Sequence, residues 1–180
     1  LRNGKTLGFL NPNPVLTSRL LFITVPCKLH FFNVASITTF NNKLELGSGV
    51  HELHVASLPC LSSINAHVLN LHSFLTRVTF RDLPELTSVD ANWLGECKSL
   101  RVARFENLPK LRRVETKWLA ECTALEEVYL GGDDPSDGLI GLQEVGAHFL
   151  AACSSLRKAV VLTNLPELRR IDDYCLSQCA

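Results

Sequence analysis

The sequence predicts an α/β repeat solenoid of about six 25-residue strand–turn–short-helix units, and three observations predict it. First, residues 83–107 lie over residues 108–132 without a gap. Leu83/Leu108, Pro84/Pro109, Leu86/Leu111, Val89/Val114, Trp93/Trp118, Leu94/Leu119, Cys97/Cys122, Leu100/Leu125 and Phe105/Leu130 recur 25 residues apart. Second, the same beat starts at Leu58 and again at Leu139 and Leu165. Third, the apolar spacing inside a unit changes from alternation to steps of three, so each unit holds more than one kind of local structure.

In chain order, residues 1–19 carry Asn-Pro-Asn-Pro and no period; they read as irregular turns or a decayed repeat. The array occupies residues 20–180. It can be followed from Leu20 through Ile23, Pro26, Leu29 and Phe31 to Val34, Ile37 and Phe40. From Leu44 it runs in strict phase through Gly47, Val50, Leu53 and Val55 to the unit opened by Leu58. After Leu130 the chain inserts GGDDPSDG, residues 131–138, which lengthens that unit by six residues. Leu139 restarts the pattern, and the chain end truncates the unit opened by Leu165. There is no methionine, even at position 1, so the chain is expected to be a piece of a longer protein, and any targeting signal upstream would be invisible in it.

Within a unit, Leu100-Arg-Val-Ala103-Arg-Phe105 alternates after its first leucine, as a half-buried strand does. Leu-Pro-x-Leu-x-x-Val is a corner, because proline lacks the donor that a strand or helix interior needs. Residues 91–97 set Leu94 and Cys97 three apart, the spacing of one side of a short helix. A single unit cannot bury its leucines, whereas stacked units share a core.

These residues resemble the leucine-rich-repeat family, with Leu100-x-x-Ala103-x-Phe105 and Leu125-x-x-Val128-x-Leu130 in the Leu-x-x-Leu-x-Leu slots. LTSVDANWLGECKSL and LQEVGAHFLAACSSL are similar to the BspA-like subtype, and also to the cysteine-containing repeats of F-box-type adaptors. The resemblance implies strands on a concave face and short helices behind them. It also implies a protein-binding role: surface or adhesion by the first likeness, an intracellular adaptor or substrate-recognition subunit by the second. The compartment therefore stays open between cell surface and cytoplasm. One slot departs from the family pattern. Where many members place Asn or Cys, this chain has Leu58, Leu83, Leu108, Leu139 and Leu165, so its corners must satisfy their backbone groups through neighbouring repeats or water.

A net charge of zero gives no bulk attraction to nucleic acid or anionic lipid, and the apolar run 20–27 is too short to span a bilayer. Of the seven cysteines, Cys97, Cys122, Cys153 and Cys179 share one phase, which Gly47 and His72 occupy in earlier units. Stacked helices about 8–10 Å apart would hold such residues beyond the roughly 7 Å reach of a disulfide, so they read as small core residues. Cys175 and Cys179 lack the Cys/His pair that a zinc site needs. His51-Glu-Leu-His54 has the wrong spacing for the His-Glu-x-x-His zinc motif, and on a strand its histidines point to opposite faces. No nucleophile–base–acid order or phosphate loop appears, so no catalytic residue, metal ligand or cofactor is assigned. A metal-binding or enzymatic domain is the alternative from another class.

The residues between the strand leucines form columns: Glu52, Arg77, Val102, Glu127 and Lys158; His54, Thr79, Arg104, Tyr129 and Val160; Ala56, Arg81, Glu106, Gly131 and Thr163. Columns that vary over a constant leucine scaffold predict a non-catalytic protein-binding module. The expected contacts are Glu52, His54, Arg77, Thr79, Arg81, Val102, Arg104, Glu106, Glu127, Tyr129 and Lys158, with the 131–138 insert on the rim. Trp93, Trp118 and Phe149 are expected to wedge adjacent helices; Arg112-Arg113 and Arg169-Arg170 read as a solvated edge. A final unit without a polar cap predicts fraying or self-association at the ends.

Overall fold

The structure is a computed structural model that describes residues 5–9, 27–40, 46–131, 138–157 and 160–179. Among these residues the strands are β1 (Lys5–Phe9), β2 (Cys27–Phe32), β3 (Thr39–Phe40), β4 (Val50–Ala56), β5 (Ser63–Ile64), β6 (Arg77–Arg81), β7 (Ser88–Val89), β8 (Val102–Glu106), β9 (Arg113–Val114), β10 (Glu127–Leu130), β11 (Glu144–Val145), β12 (Val160–Leu162) and β13 (Arg170–Ile171). They form a parallel β-solenoid of about five turns. Each full turn gives its longer strand to a seven-stranded sheet, β1-β2-β4-β6-β8-β10-β12, and its two-residue strand to a six-stranded sheet, β13-β11-β9-β7-β5-β3. Pairing is parallel among the described strands; β1 pairs with β2, and from β2 onward each partner lies two strands along in sequence, because neighbours in a sheet belong to successive turns.

Alternation in the long strands sets the inner floor. Leu53, Val78, Ala103 and Val128 stack in register, as do Val55, Phe80, Phe105 and Leu130, and all are buried. In the short sheet Phe40, Ile64, Val89, Val114 and Val145 pair in sequence and close the opposite wall. Phe40 stands 24 residues before Ile64, one short of the 25-residue beat, and still pairs with it in the sheet. Leu86, Leu111 and Leu142 are fully buried in one core cluster, which is the shared row that the repeat predicts.

The corner is a turn closed by its own leucines. The amides of Leu61, Leu86, Leu111, Leu142 and Leu168 donate to the carbonyls of Leu58, Leu83, Leu108, Leu139 and Leu165. Proline second in such a turn has its φ already set and no donor to lose. Just before the corner, Asn33, Ser57, Asp82, Asn107 and Asn164 adopt positive φ of 50–56°. Asn and Asp tolerate this left-handed bend best among side-chain-bearing residues. Successive bends are tied across turns: Asp82 N–H donates to Glu106 O (3.2 Å), and Asn107 Nδ2 donates to Asp82 Oδ1 (2.9 Å).

The short helices are not present among the described residues, and the α/β label is corrected to all-β. Residues 91–97 are a run of turns in which Asn92, Leu94 and Glu96 take φ of 56–59°. An α-helix needs an unbroken right-handed run, and alternating handedness destroys it. The amides bond between turns instead: Asn92 to Thr116 O, Leu94 back to Val68 O, and Glu96 to Ala120 O. A left-handed leucine costs on the order of 1 kcal/mol, which a cross-turn backbone bond worth about 1 kcal/mol and the burial of Leu94 together offset. A seven-residue helix would itself be marginal.

That correction removes the spacing argument for the cysteines as well, since stacked parallel rungs lie about 4.8 Å apart, not 8–10 Å. The wedge expected of Trp93, Trp118 and Phe149 is a stack inside the core. The indoles of Trp93 and Trp118 are parallel within 4° at 5.7 Å, and Phe149 continues the column at 5.3 Å. In the last turn Leu165, Leu168 and Cys179 are only partly buried, Ile171 and Leu176 are exposed, and their counterparts one turn earlier are closed.

Candidate protein-binding face

The outer face of the seven-stranded sheet is built by the residues that alternate with the buried floor. Backbone register runs Lys28, Glu52, Arg77, Val102, Glu127 in one column, and His30, His54, Thr79, Arg104, Tyr129, Val161 in the next. A third column runs Phe32, Ala56, Arg81, Glu106. Ten of the eleven expected contact residues therefore share this face: Glu52, His54, Arg77, Thr79, Arg81, Val102, Arg104, Glu106, Glu127 and Tyr129. Lys158 and the insert's residues 132–137 lie outside the described residues. Val160 is a correction: it pairs with Val128 and packs on the core, and Val161 stands opposite Tyr129. Gly131 is buried, so it is no part of the outer surface. Val102 is only 8% exposed and forms an apolar floor between charged neighbours.

Sequence reasoning left out Lys28 and His30, although the alternation of β2 carries them. The imidazoles of His30 and His54 stack at 4.5 Å, and Lys28 Nζ reaches Glu52 Oε2 at 2.9 Å. Burial raises the Glu52 pKa, but hydrogen bonds from Lys28 and from His54 outweigh it and hold the carboxyl below its usual range. Burial, and then the charges of His54 and Lys28, push His30 below the usual histidine value. At the other end, the Arg104 guanidinium lies 4.1 Å over the Tyr129 ring, whose hydroxyl donates to Glu127 at 2.9 Å. Arg104 also pairs with Glu106 at 3.7 Å, and Arg81 with Asp82 at 3.0 Å.

The polar bend ladder of Asn33, Ser57, Asp82 and Asn107 was also missed, though Ser, Asp and Asn recurring just before Leu-Pro was a readable signal. With Pro59 and Pro84 it lines a shallow groove of about 330 Å³ beside the face. Along the short sheet Arg112, Arg113, Arg169 and Arg170 are exposed, and Arg113 pairs with Glu115 at 3.0 Å and with Glu144 at 3.3 Å on the next turn.

His51 and His54 do not converge. His51 occupies a β-bulge opposite the step from Cys27 to Lys28, and its Nδ1 donates to Gly49 O at 2.8 Å. The in-phase cysteines form a ladder of thiol donors: Cys97 to Leu69 O, Cys122 to Leu94 O, Cys153 to Leu119 O and Cys179 to Leu150 O, all at 3.0–3.1 Å. A side-chain bond to Cys97 and burial push the Cys122 thiol well up, and burial pushes Cys153 up to about 12. Such thiols are poor nucleophiles. All seven cysteines are free. His72, in the same slot, accepts from Leu75 N–H at 3.2 Å.

No protein-family model, curated protein or solved structure matches the chain. The fold and the face define a parallel β-solenoid whose longer sheet displays cationic, imidazole and aromatic side chains in register.

Proposed function

We propose that this chain is a non-catalytic protein-binding module that docks its partner on the outer face of the seven-stranded sheet. One observation carries the reading: Glu52, Arg77 and Val102, with His54, Thr79, Arg104 and Tyr129 beside them, stand in register over a floor of buried leucine, valine and phenylalanine. A rigid floor presents these side chains with little ordering cost on binding, and arginine and tyrosine are frequent interface anchors. The likeness of the repeat to leucine-rich repeats, the BspA-like subtype above all, supports the same role. The 131–138 insert follows β10 in sequence and is proposed as a second contact.

The test is affinity capture from a cell extract with the wild-type chain and with an Arg104→Glu, Tyr129→Ala variant that retains its far-ultraviolet circular dichroism. A captured protein lost by the variant supports the face. Equal capture moves the site elsewhere.

A further inference from the structure

Among the described residues, Arg77 at the centre of this face is a cation that the fold leaves unanswered. Most other charges on the sheet are satisfied locally: Lys28 with Glu52, Arg81 with Asp82, Arg104 with Glu106, and Glu127 with the Tyr129 hydroxyl. Arg77 has no ion-pair or hydrogen-bond partner for its guanidinium among the described residues, although its column neighbour is Glu52. Glu52 is held on its other side by Lys28 and His54. The other column neighbour, Val102, is apolar and nearly closed, so it offers no acceptor. Beside Arg77, the Thr79 hydroxyl is also unpartnered among the described residues, and Thr79 pairs in register with Arg104.

Arg77 is half-buried, so its guanidinium has given up part of its hydration without gaining a counter-charge. Arg77 and Arg104 stand one strand apart and two residues along, about 8 Å between Cα atoms by ordinary sheet spacing. One carboxylate can thus sit on Arg77, take the Thr79 hydroxyl and feel the exposed edge of Arg104. A guanidinium fork matches a carboxylate in two-point geometry.

We propose that the partner presents a peptide segment with an acidic side chain whose carboxylate is anchored on Arg77 and Thr79. This rests on the docking face proposed above and names its chemistry.

The probe is a short N-acetylated poly-glutamate peptide, titrated into 15N-labelled protein while the arginine Nε–H signals are followed. The Arg77 and Arg104 signals are expected to move. Arg77→Gln should weaken binding about ten-fold or more, the loss expected for one charge-assisted pair. Added salt should weaken it further, and a poly-glutamine peptide should leave the signals in place. Arg77→Gln replaces a half-exposed side chain and should keep the wild-type melting temperature. Unmoved Arg77 signals, or equal affinity in Arg77→Gln, overturns the assignment. So does a single-stranded oligonucleotide that shifts Arg77 where poly-glutamate does not, since that ligand is a phosphate chain. If poly-glutamate fails while Arg104→Glu, Tyr129→Ala still loses a captured protein, the partner chemistry is wrong and the face stands. If that variant captures normally, the face itself is wrong.

Discussion

The Cys122 thiol donates to the carbonyl oxygen of Leu94, 3.1 Å away and one turn earlier, and Leu94 is a leucine with φ of 56°. The bond recurs from Cys97 to Leu69 and from Cys153 to Leu119. Left-handed Leu69, Leu94 and Leu119 thus each present a carbonyl that the next turn's cysteine receives. The slot asks for a small apolar side chain with one donor, which is what a thiol is.

Thiol reactivity should follow that geometry. In native protein an alkylating reagent should modify exposed Cys60 first and the half-buried Cys175 and Cys179 next. Buried Cys97, Cys122 and Cys153 should react only as fast as the chain opens. Peptide mass spectrometry over a time course reads the order. Early labelling of Cys122 would contradict the ladder.

Residues 91–97 allow a sharp test of turn against helix. Glu96 has φ of 58° and no side-chain partner among the described residues. Glu96→Gly relieves left-handed strain of about 1 kcal/mol, roughly offset by the backbone entropy that glycine brings. The expected change in unfolding free energy is under about 0.5 kcal/mol, or a gain. In a helix interior the same substitution would cost about 1 kcal/mol. Urea denaturation separates the two.

The spine should be sensitive and its surface tolerant. Leu100 and Leu125 are fully buried, so Leu100→Ala or Leu125→Ala should each cost about 2–5 kcal/mol. Arg101→Ala, at an exposed position one residue on, should cost less than about 0.5 kcal/mol. Similar losses at both positions would mean the wrong side chains face the core.

Acid should destabilise the fold through its half-buried histidines. Burial, and then the nearby His51, hold His72 below the usual histidine value despite a hydrogen bond to the Leu46 backbone. Protonating its Nδ1 would also remove the acceptor of Leu75 N–H. The unfolded chain therefore binds the proton first as pH falls, so stability is full above about pH 6.5 and declines below it. Burial sets the same sign for His30. Melting temperature should drop between about pH 7.5 and about pH 5, a window that leaves Glu52 charged. His72→Cys, the residue used in later turns, should flatten that drop. An equal drop in the variant would place the titration elsewhere.

How much of this was legible follows from what a periodic sequence encodes. Burial period was readable, so Leu86, Leu111 and Leu142 fell into one core, and the columns from Glu52 to Glu127 and from His54 to Tyr129 were placed correctly. A strand has only two faces, so its alternation decides both at once. Backbone handedness was not readable at Leu94. Leucine and cysteine three apart suit one side of a helix and equally a run of alternating turns, and no glycine marks the left-handed position. The missed ladder through Ser57, Asp82 and Asn107 did carry a signal, because Asp and Asn favour that bend. Val160 was misplaced because the spacing from Tyr129 to its partner differs after the insert, where the 25-residue count no longer applies.

The most direct measurement is the coupling across individual hydrogen bonds in the NMR spectrum of labelled protein. The account predicts that the Leu119 amide couples to the Trp93 carbonyl, and the Leu150 amide to the Trp118 carbonyl, each on the preceding turn. Coupling of the Leu119 amide to Glu115, four residues back, would mean that a helix closes each repeat and would contradict the rung-by-rung stack.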